Sequence, residues 1–284
     1  MMSVVRFGFS QDVATLPAQL DAFLAARIER NVHASLLVHA RAGRLAGADP
    51  LFVWAHRDNG EIAIFAMRIP PWPMLVSELD QEGAEALIEL WLQRDPQPPG
   101  VNGTPEAARA VAAAWQRRSG GRVRCRMREA MHVLHEVVDP PRRAPGELRR
   151  ATQADRDLLI AWERAFVKEA GLVAGAAEQA ERTVEGRLSS GAQFVWHDRR
   201  PVSTLSLSPA IAGTVRIGPV YTPPQHRRRG YAGAAVARAS LKALAQGARQ
   251  CMLFTDLANP TSNKIYAAVG FRRVGDWEEL EFIV

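Results

Sequence analysis

Cysteine is nearly missing from this 284-residue chain: Cys125 and Cys251 are the only two, far apart and in no ligand-like spacing. That excludes a disulfide framework, argues against a thiolate metal site, and leads us to expect a reducing, cytoplasmic compartment. No His/carboxylate grouping resembles a metal site either, so no metal is expected. No uninterrupted apolar run approaches the ~20 residues that a membrane-spanning helix needs. Met1 to Ser10 shows no basic segment followed by a long apolar core, so no signal peptide is expected. Lysine is scarce too: Lys168, Lys242 and Lys264 are the only three among 36 basic residues. No short repeat of solenoid period occurs.

What the chain does have is the balance of a soluble globular protein, 47% hydrophobic and 23% charged. Its length suits two domains. The net charge of +6 invites a nucleic-acid reading, but the distribution argues against it. The first 146 residues carry 17 arginines against 16 acids, whereas the remainder carries 19 basic residues against 14 acids. Three of those excess charges are contiguous, at Arg227, Arg228 and Arg229. Basicity is therefore concentrated at one loop rather than spread along a stripe, and neither nucleic acid nor membrane is expected as a partner.

The strongest break is Asp139 to Gly146, with three prolines and a glycine in eight residues, which can continue neither a helix nor a central strand. It reads as a linker over 139–146 between domains at 1–138 and 147–284. After it, Glu147 to Arg150 fits a strand, and Thr152-Gln153-Ala154-Asp155 matches a helix capping box ahead of Leu158, Leu159, Trp162 and Phe166 at helical spacing. A second helix is predicted over Ala176 to Leu188. Strands follow at Gln193 to Trp196, Pro201 to Ser208 and Thr214 to Tyr221. A helix from Gly230 to Ala245 leads to a strand at Cys251 to Thr255 and a helix from Asn259 to Val269. Strands at Phe271 to Val274 and Glu279 to Val284 close the order, giving an α+β domain with a mixed sheet flanked by helices.

Tyr221 to Gly233 joins a strand to a helix through a basic, glycine-punctuated loop. The first N–H groups of a helix have no internal partner and can bind an anion, and glycine allows close backbone approach. Arg227-Arg228-Arg229-Gly230-Tyr231-Ala232 fits the Arg/Gln-x-x-Gly-x-Gly/Ala loop of the GNAT superfamily of N-acetyltransferases. Asn259 to Phe271 is similar to that family's Asn-x-x-(Ser/Asn)-x-x-x-Tyr-x-x-x-Gly-Phe pattern. Two motifs in the right order, each on the right element, make residues 147–284 resemble a GNAT domain.

The resemblance implies an acyl-CoA N-acyltransferase fold and acetyl-CoA as co-substrate, with transfer of the acetyl group to a primary amine by direct attack. It places the pyrophosphate on Arg227, Arg228, Arg229, Gly230, Tyr231, Ala232 and Gly233, and the pantetheine arm along the backbone of Val220, Tyr221 and Thr222. Asn259 and Asn263 are further cofactor candidates, although Asn259 is nearly as well read as a helix cap. Tyr266 falls where the family places the general acid for the coenzyme A thiolate; the alternative is a ring that only packs. No general base is legible. The strand Thr214 to Tyr221 holds no carboxylate, and Asp256, Glu169 and His226 each have an ordinary structural reading.

The first half reads as helices within Val13 to Arg30, a hairpin of Leu51 to His56 with Glu61 to Arg68, and a strand at Met74 to Ser77. Helices at Glu82 to Leu92 and Pro105 to Arg118 follow, then strands at Arg122 to Arg126 and His132 to Val138. This order echoes a second GNAT-like fold that lacks the basic loop, hence a degenerate companion, with a different α/β module as the alternative. The competing functional readings are an acyl-CoA-binding sensor without turnover and a nucleic-acid-binding protein. A monomer or homodimer is expected; the amine is not legible.

Overall fold

The structure is a computed structural model that describes residues 4–43, 49–138, 144–171, 175 and 177–284. The chain begins β1 (Val4–Ser10), α1 (Leu20–Ala25), α2 (Asn31–Arg41), β2 (Leu51–Arg57), β3 (Ile62–Arg68) and β4 (Met74–Val76). It continues α3 (Gln81–Leu92), β5 (Gly100–Gly103), α4 (Pro105–Ser119), β6 (Arg122–Leu134) and β7 (Glu147–Arg150). Then come α5 (Arg156–Glu169), α6 (Ala180–Ser189), β8 (Gln193–Asp198), β9 (Arg200–Leu207) and β10 (Thr214–Tyr221). The last elements are α7 (Tyr231–Ala245), β11 (Gln250–Asp256), α8 (Pro260–Val269) and β12 (Arg272–Ile283).

Two compact units form, one from Met1–Glu129 with Gly275–Val284, the other from Ala130–Val274. The chain thus changes unit within β6 and again within β12, whereas the sequence suggests a change at the proline-rich segment. Of that segment, residues 139–143 lie outside the described residues, as does Ala176, the expected first residue of a helix that begins at Ala180. Two further expectations change. The predicted strand pairs Arg122–Arg126 with His132–Val138, and Phe271–Val274 with Glu279–Val284, are single long strands. Gly275-Asp276 reads as a turn locally, but a strand with neighbours on both sides has its backbone satisfied by the ladder instead.

In the first unit the strands lie in the order β1-β2-β3-β4-β5-β12-β6. β5 has little strand propensity, with glycine at both ends, yet both glycines are required by close approach. A Cβ on Gly100 would collide with the Leu280 carbonyl, and one on Gly103 would come within 2.9 Å of the Val76 side chain. Leu87, Ile88 and Trp91 of α3 and Val111 and Trp115 of α4 form the core with Leu280 and Phe282 of β12. The Trp115 and Phe282 rings stack 4.3 Å apart. Alternate arginines of β6 meet glutamates of β12: Arg124 with Glu281 at 2.5 Å, Arg126 with Glu279 at 2.8 Å and Arg128 with Glu278 at 3.3 Å. Cross-strand pairs of this kind fix register and contribute roughly 0.2–1 kcal/mol each.

The second unit orders its strands β6-β11-β10-β9-β8-β7, with β6 entering through Ala130–Leu134. β7 to β10 pair antiparallel, and β10 pairs parallel to β11. Side chains alternate across β8: Phe194 and Trp196 face the core under α7 and α8, while Val195 packs with Leu159, Ile160 and Trp162 of α5. The capping box ahead of α5 forms as expected, with Thr152 N–H donating to Asp155 Oδ2 at 2.8 Å. The fold is α+β, a mixed sheet flanked by helices, and the order β-α-α-β-β-β-α-β-α-β occurs in both halves of the chain.

Because Phe282 lies in the first unit's core although it is the third residue from the end, Phe282→Ala is expected to cost about 3–5 kcal/mol in urea unfolding. A change below about 1 kcal/mol would show that the C-terminal strand is dispensable there.

Candidate functional site

The site begins where two strands part. β10 and β11 pair only through Thr214–Gln250, Val215–Cys251 and Arg216–Met252, although β10 runs on to Tyr221 and β11 to Asp256. The local cause is Gly218-Pro219, which sits in the irregularity between Ile217 and Val220 against β9. Proline has no N–H to give to a ladder. Beyond it, Val220 and Tyr221 resume pairing with Leu205 and Thr204 of β9, so their backbone is occupied on one edge only. The other edge, facing the diverging β11, is an open strand edge of the kind that accepts an extended ligand.

Directly after this edge the chain makes the basic loop. Arg228 adopts φ 60° and Gly230 φ 84°, so two left-handed residues fold the loop back before α7 starts. Gly230 is the N-cap and supplies no side-chain bond, and the first turn of α7 holds no acidic residue. The N–H groups of Tyr231, Ala232 and Gly233 therefore stand without the partners a cap would provide, at the positive end of a 15-residue helix. Tyr231 anchors this end, its hydroxyl donating to Asp198 Oδ2 at 2.6 Å.

Tyr266 of α8 is 8% exposed and packs edge-on against Phe271, ring centroids 6.2 Å apart. Its hydroxyl has no hydrogen-bond partner among the described residues, and burial raises its pKa well above the ordinary phenol range. Gly233 brings α7 and α8 together: a Cβ there would lie 3.5 Å from Ile265 Cγ2. The open edge, the unpartnered helix start and α8 all belong to the second unit.

Three of the expected ligand-binding side chains are engaged within the protein instead. Asn259 Oδ1 accepts from Ser262 N–H at 3.1 Å, which is the helix-cap role. Asn263 accepts from Thr255 Oγ1 at 2.5 Å and donates to the carbonyls of Asp256 and Asn259 at 3.1 and 2.9 Å. Arg227 donates to the Thr222 carbonyl at 2.8 Å and to Glu169 Oε2 at 2.5 Å. Their work here is to hold the two turns that frame the site. The candidate bases are engaged as well: Asp256 Oδ1 accepts from Ala258 N–H at 2.8 Å, and Glu169 Oε1 accepts from the Tyr221 hydroxyl at 3.1 Å. His226 is buried, and its pKa is lowered by that burial and by Arg200 and Arg229. Tyr221 is the contact that sequence reasoning missed as a side chain. A signal was available, since the chain has only three tyrosines and all three, Tyr221, Tyr231 and Tyr266, frame this site.

Comparison with known proteins fits this geometry. The family model described as FR47-like protein matches residues 212–281. A GNAT-family acetyltransferase from Colwellia psychrerythraea superposes with a TM-score of 0.60 at 12% identity, over 98% of this chain and 99% of that one. A GCN5-related N-acetyltransferase from Sphaerobacter thermophilus gives 0.58 at 16%, over 97% and 95%. A tandem GNAT protein from the clavulanic acid biosynthesis pathway gives 0.55 at 14%, over 97% and 98%. The fold is that of the GNAT-superfamily acetyltransferases, in a two-domain arrangement. No curated protein matches the sequence.

The two GNAT-like units differ at the equivalent place. In the first, Asp80 caps α3, its Oδ1 accepting from Gly83 N–H at 2.9 Å, and Glu82 adds a second carboxylate to that turn. The Gly103–Val76 approach keeps β4 against β5. Carboxylates at that helix start disfavour an anion, and β4 and β5 stay in contact at their last residues, Val76 and Gly103. Among the described residues, the second unit combines strands that part before their ends with an uncapped helix start.

Asn263→Ala removes three hydrogen bonds that brace α8, so a stability loss of about 2 kcal/mol is expected in chemical unfolding. Unchanged stability would instead mark Asn263 as a side chain kept for a ligand.

Proposed function

We propose that the protein is an acetyl-CoA-dependent N-acetyltransferase whose donor site lies in the second unit, on a primary-amine acceptor. The observation that carries the reading is the parted β10–β11 edge running straight into an uncapped, arginine-flanked helix start. Coenzyme A is an amide-bearing arm attached to a pyrophosphate, and those two features match that ligand in order. The arm would pair with the free edge of Val220 to Thr222. The pyrophosphate would take the N–H groups of Tyr231 to Gly233, with Arg228 at its rim.

The acceptor amine, deprotonated, attacks the thioester carbonyl carbon, and the carbon–sulfur bond breaks as the amide forms. The departing thiolate takes the proton of the Tyr266 hydroxyl, which has no hydrogen-bond partner among the described residues. A buried phenol with a raised pKa stays protonated throughout the physiological range, which suits an acid. Glu169 and Asp256 are held by other groups, so the amine proton leaves to water in this reading. The first unit, closed at the equivalent place, is a degenerate companion. No metal enters this reading, the protein works in the cytoplasm, and it is a monomer or homodimer.

The lack of a free carboxylate on β10 favours one rival, an acyl-CoA sensor that binds without turnover. Thiol release from acetyl-CoA across an amine panel separates the two, because the sensor binds and releases nothing. In the enzyme, Tyr266→Phe is expected to lower kcat by about 10²-fold with little change in KM for acetyl-CoA. Because the phenol pKa is raised, the acid form persists as pH rises, so no loss of kcat assignable to Tyr266 is expected below pH of about 10. Full activity in Tyr266→Phe would remove the tyrosine from the chemistry.

A further inference from the structure

Around the start of α7 lies a second group of cations that the pyrophosphate site does not use. Other arginines of this unit are tied to carboxylates: Arg149 holds Asp155 at 2.7 Å, Arg187 holds Glu163 at 2.8 Å, and Arg227 holds Glu169. Arg200 and Arg229, both exposed, form no ion pair to a described residue. They come from different elements, Arg200 from the tip of the β8–β9 hairpin and Arg229 from the loop before α7. The tip turns tightly, with Arg199 at φ 61° between the paired residues Asp198 and Arg200. It is pinned to the helix by the Asp198–Tyr231 hydrogen bond of 2.6 Å, and Arg229 reaches the same Tyr231 hydroxyl. His226, three residues before Arg229, is 6% exposed, with an Nδ1 that has no hydrogen-bond partner among the described residues. Burial comes first, and then the fields of Arg200 and Arg229, in keeping that ring neutral.

Two guanidinium groups with no ion pair among the described residues, and a buried imidazole whose Nδ1 has no partner among them, thus stand on the hairpin tip and on the loop before α7, where Asp198 is engaged by Tyr231. Arginine forks suit phosphate because two parallel N–H bonds match two phosphate oxygens. We propose that Arg200 and Arg229, backed by His226, form a second anion subsite that receives a phosphate monoester: the 3′-phosphate of the coenzyme A nucleotide. This inference rests on the coenzyme reading above. It assigns a ligand contact to the β8–β9 hairpin, outside both sequence motifs.

The test is calorimetric binding of coenzyme A and of 3′-dephospho-coenzyme A to the full chain and to Arg200→Ala and Arg200→Glu variants. The wild type is expected to favour coenzyme A by about tenfold, since its 3′-phosphate adds a charge-assisted pair that dephospho-coenzyme A lacks. In Arg200→Ala the preference should shrink to threefold or less, and in Arg200→Glu vanish, with dephospho-coenzyme A affinity within twofold of wild type in Arg200→Ala. Arg200 is an exposed turn residue, and circular dichroism checks that both variants fold. If both ligands bind and the wild-type preference persists in the variants, the subsite is overturned while the coenzyme reading stands. A wild type that binds both ligands equally also overturns it. If neither ligand binds the wild type, the coenzyme reading fails and the subsite fails with it.

Discussion

The functional reading depends on one missing set of hydrogen bonds: those that β10 and β11 do not make after Arg216 and Met252. A central sheet normally satisfies every backbone group from both neighbours, because an unpaired N–H or C=O away from water is costly. Here the chain gives up that pairing in the middle of the second unit. It does so with Gly218 and Pro219, which cannot sustain a regular ladder, and it places the consequences beside α7 and α8. Pairing from β9 holds Val220 and Tyr221 in extended form, so the open edge is preformed rather than slack.

The neighbouring features answer to that edge. Arg227, Asn259 and Asn263 hold turns on its flanks, and Tyr231 ties the start of α7 to Asp198. The Tyr266 ring is buried, and its hydroxyl has no hydrogen-bond partner among the described residues. The first unit provides an internal control. It repeats the order of elements, yet Asp80 occupies its helix start and Gly103 draws β5 onto β4. One architecture thus appears in an open form and a closed form within a single chain.

Much of the second unit was legible because its signals are local. The Thr152–Asp155 capping box, the Gly230 loop and the helix ended by Gly270 depend on neighbours within a few residues. The first unit was less so, because its decisive contacts are distant in sequence. β1 and α2 escaped notice, and β5 is a strand only because Leu280, far along the chain, comes to lie against Gly100. The compact units part within β6 and β12 rather than at the prolines for the same reason: proline marks where a chain can break, not which core Leu280 and Phe282 will join. At the site, the motifs located Tyr266 and the loop correctly on their elements. They could not tell that Asn263 and Arg227 are engaged by the protein itself, since an amide or guanidinium that braces a turn has the same residue type as one that binds a ligand.

The most direct test of the account is amide hydrogen exchange on the full chain with and without acetyl-CoA. Slowed exchange confined to Val220 to Thr222 and Tyr231 to Gly233, with the start of α3 unchanged, is the predicted result. Protection at residues 80–84 instead, or no protection in either unit at saturating acetyl-CoA, would contradict it.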